Sequence, residues 1–262
     1  MTKATGIVLS QDHIADDIFS MRVGCGAIAR TALSGQFVTV YCKDGSRLLP
    51  RPISICDVDR ERGIIRLVYR TVGAGTQEFS HYLPADSIEI MGPLGNGYPV
   101  EKAAGKEVWL MGGGIGIPPL LCLAKELADE QDNGNRIHAI LGYKDTLFLN
   151  GDFENVPGVC VHIATEDGSA GKAGNVMDAL PDGRPDMIFA CGPTPMLKAI
   201  RAYALQEQIP CYLSLEQRMA CGVGACLACV CRSVEKDEHS QVENKRVCKE
   251  GPVFEAGEII FS

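Results

Sequence analysis

From Met1 to about Pro99 the apolar positions come in short runs. Phe37-Val38-Thr39-Val40-Tyr41 and Ile64-Ile65-Arg66-Leu67-Val68-Tyr69 are rich in β-branched and aromatic residues. Ser87-Ile88-Glu89-Ile90-Met91 is a further short run, ended by Gly92-Pro93. Polar turn clusters, Lys43-Asp44-Gly45-Ser46 and Asp59-Arg60-Glu61-Arg62-Gly63, lie between them. Short strands at this spacing predict a small antiparallel β-barrel. A brief helix is expected over 75–83.

The pattern changes after Lys106. Glu107-Val108-Trp109-Leu110-Met111 reads as a buried strand and runs at once into Gly112-Gly113-Gly114-Ile115-Gly116. Pro118-Pro119 then opens a helix, where a fixed φ and a missing N–H are tolerated. Leu120, Leu121, Ala124, Leu127 and Ala128 share one face of it. Strands are expected over 136–143, 158–164 and 186–190, with a short helix over 174–180 and a longer one from about Pro195 to Gln208. Strands alternating with helices imply a parallel α/β sheet. The chain thus divides into a barrel over 1–100, an α/β domain over 101–210 and a small cysteine-rich domain over 211–262.

Composition narrows the function. The chain has 262 residues and a formal net charge of −8, with no basic patch, which argues against nucleic-acid binding. The first residues lack the apolar core of a signal peptide. The longest apolar run, Val108 to Leu123, is broken by four glycines and two prolines and is too short to span a bilayer. A soluble, cytoplasmic protein is expected. There are twelve cysteines. Cys25, Cys42, Cys56, Cys122, Cys160, Cys191 and Cys211 are scattered through apolar or loop segments, and most read as small core residues.

The other five crowd into the C-terminal segment. Cys221-x4-Cys226-x2-Cys229, with Cys248 further on, has the plant-type spacing for a 2Fe–2S centre. Gly222, Gly224 and Ala225 between them let a loop wrap tightly, so that backbone N–H groups can face the sulfurs. Four thiolates are needed, which leaves Cys231 and Cys248 in competition; a remote fourth ligand favours Cys248. A zinc ribbon prefers two C-x2-C knuckles, and the segment holds one.

Other segments carry candidate nucleotide chemistry. Gly112-Gly113-Gly114-Ile115-Gly116-Ile117 departs from G-x-G-x-x-G at Ile117, yet it lies between a strand and a helix start, where free N–H groups favour a pyrophosphate. Gly113, Gly114 and Gly116 are its candidate contacts. Arg51-Pro52-Ile53-Ser54 opens a strand with a cation beside a hydroxyl, and Tyr69-Arg70 leads to Gly73-Ala74-Gly75-Thr76 ahead of a helix. Cys191-Gly192-Pro193 ends a predicted parallel strand, where open α/β sheets bind ligands. A Cys191 thiol there would lie near a nicotinamide.

Together, in order and spacing, these motifs resemble the ferredoxin–NADP reductase superfamily over about residues 5 to 210. The tail, Leu215–Cys229 and then Val247-Cys248-Lys249-Glu250-Gly251-Pro252-Val253-Phe254, is similar to the electron-transfer subunits of type B dihydroorotate dehydrogenases. The resemblance implies FAD contacts at Arg51, Pro52, Ile53, Ser54, Val68, Tyr69, Arg70, Gly75 and Thr76. It implies NAD binding in the α/β domain, with Gly192 and Pro193 at the nicotinamide end. It also implies cluster ligation by Cys221, Cys226, Cys229 and Cys248. The segment from Val230 to Val247 looks a few residues longer than the family's. The implied partner is a catalytic dihydroorotate dehydrogenase subunit carrying FMN, in a heterotetramer of two of each, serving pyrimidine (UMP) biosynthesis. A subunit of another NAD(P)H-dependent ferredoxin or sulfide reductase would share every motif. At the second α/β strand end, Lys144 would favour the 2′-phosphate of NADP and Asp145 would repel it; the resemblance favours NAD.

Overall fold

The computed structural model describes residues 1–129, 134–236 and 241–261. Its first unit is a closed antiparallel barrel of β1 (Thr2–Ala15), β2 (Ile18–Gly24), β3 (Phe37–Val40), β4 (Arg51–Asp59), β5 (Ile64–Arg70) and β6 (Ser87–Leu94), in the order β1-β2-β5-β4-β3-β6. Along β6 the even positions Ile88, Ile90, Gly92 and Leu94 are buried, as the two-residue period of a strand requires. Two short helices punctuate the barrel, α1 (Gly26–Ala29) and α2 (Ala74–Phe79). The second ends at Phe79, short of the expected Leu83, which Pro84 in any case disfavours as a helical residue.

The second unit is a seven-stranded sheet. It holds β7 (Glu107–Gly113), β8 (Arg136–Tyr143), β9 (Val159–Thr165), the two-residue β10 (Lys172–Ala173), β11 (Met187–Cys191) and β12 (Cys211–Ser214), all parallel to their neighbours. After β12 the chain makes β13 (Val230–Ser233) and β14 (Asn244–Arg246) and then returns as β15 (Val253–Glu255), which lies antiparallel to β12 at the sheet edge. The strand order is β10-β9-β8-β7-β11-β12-β15. A last short strand, β16 (Ile259–Ile260), pairs with β13, and β14, β13 and β16 form a small separate sheet. Thus the cysteine-rich segment contributes two strands to the α/β sheet.

Helices α3 (Pro118–Asp129) and α4 (Asn150–Glu154) cover one face, and α5 (Thr194–Gln206) the other. Val108, Trp109, Leu110 and Met111 of β7 are all buried, as a strand covered on both faces must be. The helix expected over 174–180 is instead a single 3-10 turn, Val176–Asp178. Gly174 at φ +125° breaks helical geometry before it, and the Asn175 side chain caps it by accepting from the Met177 N–H at 2.9 Å. Of the seven scattered cysteines, Cys42 is half-buried and Cys160 exposed; the rest are buried.

The barrel and the sheet share core. Ile18, Cys56 and Val68 of the barrel pack in one apolar cluster with α3. Around that contact Lys125 pairs with Asp57 at 2.6 Å, Arg60 with Glu126 at 2.8 Å, and Arg66 with Asp152. Among the described residues no helix is long and apolar enough to cross a membrane. Leu110 is fully buried at the centre of β7. Leu110→Ala is expected to cost about 2–5 kcal/mol, from lost burial and the cavity left behind. The check is the denaturant midpoint of the folded chain, and an unchanged midpoint would contradict the placement of this core.

Candidate functional site

The crevice forms where the sheet order turns. After β7 the chain moves outward to β8 and β9, then returns to place β11 on the other side of β7. Ligands of open α/β sheets bind outside the carboxyl ends of strands at such a point. Here the Gly112–Gly116 loop meets the Cys191-Gly192-Pro193 turn. A Cβ at Gly116 would stand 2.5 Å from the Cys191 carbonyl carbon and oxygen and from the Gly192 nitrogen. Only glycine permits that approach.

Two cavities open at this junction. One, of about 370 Å³, is walled by Arg51, Pro52, Ile53 and Ser54 from β4, Val68, Tyr69 and Arg70 from β5, and Thr76 from α2. Its far wall includes Cys191, Ser214, Glu216, Met219 and Pro252. The other, of about 530 Å³, is lined by Gly113, Gly114, Gly142, Lys144, Glu166, Asn175, Pro193 and Met196. Arg70 lines both.

Most of the candidate residues read from sequence therefore converge, but three act otherwise. Gly75 lines neither cavity; the Arg51 guanidinium lies against it, in the space a Cβ would fill. Gly116 likewise works by close packing. Gly192 lies beneath Met196, whose Cε would be 2.5 Å from a Cβ there, and lines an adjoining groove of about 410 Å³. Cys191 sits at the boundary: its side chain lines the first cavity and Pro193 the second. Burial pushes the Cys191 thiol well up, Glu216 adds to this, and a hydrogen bond with Ser214 opposes it. It is a neutral thiol at physiological pH.

Glu216, Met219, Glu166 and Asn175 were not singled out from sequence. For Glu166 the available signal was its place just past a predicted parallel strand. The Glu216 carboxylate is reachable by solvent, yet it stands in a concave wall, so the surrounding protein raises its pKa; Arg70 pulls the other way.

The pockets suit a flavin and a dinucleotide. On the flavin side, the Thr76 hydroxyl accepts from the Val72 N–H at 3.0 Å and the Gly73 N–H at 3.3 Å, which fixes the loop ahead of α2, with Arg51 beside it. On the other side, Gly114 has φ +52°, and a Cβ there would meet only the Arg70 guanidinium, at 4.0 Å. An open backbone beside a cation is a cradle for phosphate.

The cysteine loop packs beside the first cavity. Gly222, at φ +71°, lies against Thr39 of β3 and Leu94 of β6, and Met219 touches both the cavity and the core that holds Cys229 and Cys248. Backbone N–H groups face the sulfurs. Val223 and Ala225 donate to Cys221 Sγ at 3.4 and 3.3 Å, Gly224 to Cys248 Sγ at 3.1 Å, and Cys248 to Cys229 Sγ at 3.4 Å. Burial works against ionisation of Cys221, but bonds from Val223, Cys226 and Ala225 prevail and bring it down to about 6. Burial and the neighbouring Cys229 thiol push Cys248 up to about 12.

Among the described residues no three His, Cys, Asp or Glu side chains converge on one metal position. The thiols instead neighbour one another in two pairs, Cys221 with Cys226 and Cys229 with Cys248. A single zinc ion needs four donors around one point. Two pairs suit a centre of two irons, each taking two protein ligands. Cys231 stands apart: its thiol donates to the Lys245 carbonyl at 3.4 Å, and burial raises it to about 11. Residues 237–240 of the connection to Cys248, which the sequence marks as long, lie outside the described residues.

Comparison with known proteins agrees with this construction. A profile of the iron-sulfur cluster binding domain of dihydroorotate dehydrogenase B matches residues 216–260. The chain is 40% identical over 261 residues to the dihydroorotate dehydrogenase B (NAD(+)) electron transfer subunit of Bacillus caldolyticus, covering 97% of each chain. It is 38% identical over 267 residues to that of Bacillus cereus, covering 100% of each. A chain of the NADH-dependent reduced ferredoxin-NADP oxidoreductase structure, described for flavin-based electron bifurcation, superposes with a TM-score of 0.84 at 30% identity, over 98% of this chain and 90% of that one. A ferredoxin NADP+ reductase from Neisseria gonorrhoeae shares the fold, with a TM-score of 0.64 at 14% identity, over 78% of this chain and 91% of that one. By full-length likeness, and by the paired cysteines beside two adjoining cavities, the chain belongs to the family of dihydroorotate dehydrogenase B electron transfer subunits.

Proposed function

We propose that this chain carries electrons between a catalytic dihydroorotate dehydrogenase subunit holding FMN and NAD, by way of a 2Fe–2S centre and FAD, in pyrimidine (UMP) biosynthesis. The carrying observation is the order of the sites: a dinucleotide cavity and a flavin cavity joined at Arg70, with the paired-cysteine loop against the far wall of the flavin cavity. A nicotinamide exchanges an electron pair as hydride, a 2Fe–2S centre exchanges single electrons, and a flavin does either, so the flavin belongs in the middle.

The residues divide the work accordingly. Residues 1–100 would hold FAD through Arg51, Pro52, Ile53, Ser54, Val68, Tyr69, Arg70 and Thr76, with Gly75 leaving room for Arg51. Residues 101–210 would hold NAD through Gly113, Gly114 and Pro193, with Gly116 and Gly192 setting the crevice and Cys191 near the nicotinamide. Residues 211–262 would hold the cluster through Cys221, Cys226, Cys229 and Cys248. Cytoplasmic location and an assembly of two of each subunit complete the reading. Serine at any of the four ligand positions is expected to abolish the cluster's visible absorption and lower iron content, whereas Cys231→Ser keeps both. Loss of iron in Cys231→Ser with retention in Cys248→Ser would reverse the assignment.

NAD over NADP rests on Glu166. Glu166 lines the dinucleotide cavity together with Gly113 and Gly114, just past the end of β9. A carboxylate there accepts from ribose hydroxyls and repels a 2′-phosphate. Lys144 lines the same cavity, while Asp145 turns away to accept from the Thr146 N–H at 2.5 Å. Glu166→Gln is expected to raise the NADPH-to-NADH ratio of kcat/KM about tenfold, or ~1.4 kcal/mol. An unchanged ratio would remove Glu166 from the selection.

The outer side of the cysteine loop supplies the docking face. Cys226 is exposed there, and so are Val223, Leu227 and Val230. Leu227 is 60% exposed and holds φ +57°, a conformation that aspartate tolerates. Leu227→Asp is therefore expected to leave NADH-dependent dye reduction by the chain unchanged and to weaken binding of the catalytic subunit at least about tenfold. Unaltered binding in a co-purification or titration would place the docking face elsewhere.

A further inference from the structure

The cysteine loop is gripped by a charged side chain from outside it. Arg246 ends β14, and its Nη1 donates to the Gly224 carbonyl at 3.0 Å. The rest of the guanidinium is locked onto Glu250: Nε donates to its two oxygens at 3.1 and 3.0 Å, and Nη2 pairs with it as well. Glu250 also accepts from the Arg246 backbone N–H at 2.7 Å. The barrel holds this clamp in place, because the Asn96 side chain donates to the Glu250 carbonyl at 2.8 Å and the Asn96 N–H to the Gly251 carbonyl at 2.7 Å. Both side chains are about three-quarters buried.

The position of that grip matters. The Gly224 carbonyl and the Ala225 N–H belong to one planar peptide unit. That N–H donates to Cys221 Sγ at 3.3 Å. Holding the oxygen therefore aims the N–H, and a cation on the oxygen polarises it. The peptide on the other side of Gly224 donates to Cys248 Sγ at 3.1 Å. One residue thus points N–H groups at a sulfur of each cysteine pair. Gly224 manages this at φ +82°, and a Cβ there would stand 2.8 Å from the Lys249 side chain.

We propose that Arg246 is a positioning residue that tunes the one-electron potential of the iron–sulfur centre through the Gly224–Ala225 peptide, with Glu250 holding it and partly offsetting its charge. This rests on the four cysteines being the cluster ligands. Reduction adds one negative charge to the centre, and N–H donors on its sulfurs favour that reduced form. A guanidinium behind one such donor strengthens it.

The test is a potentiometric titration followed by EPR, on the two-subunit complex and its Arg246→Met, Arg246→Lys and Glu250→Gln variants, after iron and sulfide have been measured. A native complex without iron and sulfide would overturn the ligand assignment and the proposal with it. Arg246→Met is expected to keep its iron and sulfide, to shift its EPR g-values, and to be reduced about tenfold less favourably, 59 mV lower for a one-electron couple. Arg246→Lys keeps a charge without the planar fork and falls between. A fully loaded Arg246→Met with native potential and g-values would overturn the tuning while leaving the ligands standing. Should Arg246→Met fail to take up iron, Glu250→Gln decides. It leaves the guanidinium on Gly224 and removes the offsetting charge, so its potential must rise; no change, or a fall, overturns the proposal.

Discussion

Everything at this site depends on how closely the backbone after β7 approaches the backbone after β11. Gly116 lies so near the Cys191–Gly192 peptide that even a methyl group is excluded. That contact closes the crevice between two parallel strands into a shared wall, with the proposed dinucleotide cavity on one side and the proposed flavin cavity on the other. Arg70 reaches the seam from the barrel and borders both. The ion pairs and shared apolar core between the barrel and α3 keep the two units in the register this requires.

The cysteine loop is attached to that frame rather than appended to it. β12 and β15, which bracket the loop, are strands of the α/β sheet, and Gly222 packs directly on the barrel. The loop therefore cannot move without disturbing the wall of the flavin cavity. At the same time its tip exposes Leu227 and Cys226. A buried root and an exposed apolar tip are what a group needs to exchange electrons inward with a flavin and outward with another subunit.

Much of this was legible in the residues. The strand–glycine–helix run at 107–129 and the β-branched runs of the barrel each have a direct local cause, and both formed as expected; the cysteine spacing, equally local, underlies the proposed cluster site. What stayed hidden depends on strands meeting across the chain. Glu166 and Glu216 are unremarked acidic residues in sequence; they join the site only because β9 and β12 end beside it. The return of β15 follows no local period. Gly75 and Gly116 read as ligand contacts, but they function as gaps that let Arg51 and Cys191 come close. The 174–180 segment had helical residues, yet the φ of Gly174 and the Asn175 cap moved its start to Val176, and a single turn formed. Cys248 neighbours Cys229 while Cys231 turns to a strand carbonyl, which supports Cys248 as the proposed fourth ligand.

An anaerobic titration of the purified chain with NADH, followed by visible spectrum, tests the central claim most directly. If the three sites lie in line within one chain, NADH must bleach the flavin band and then the broader cluster absorption. About three reducing equivalents should be taken up per chain, two by the flavin and one by the iron–sulfur centre. A colourless chain, or a flavin that bleaches while the cluster stays oxidised in the presence of excess NADH, would contradict it.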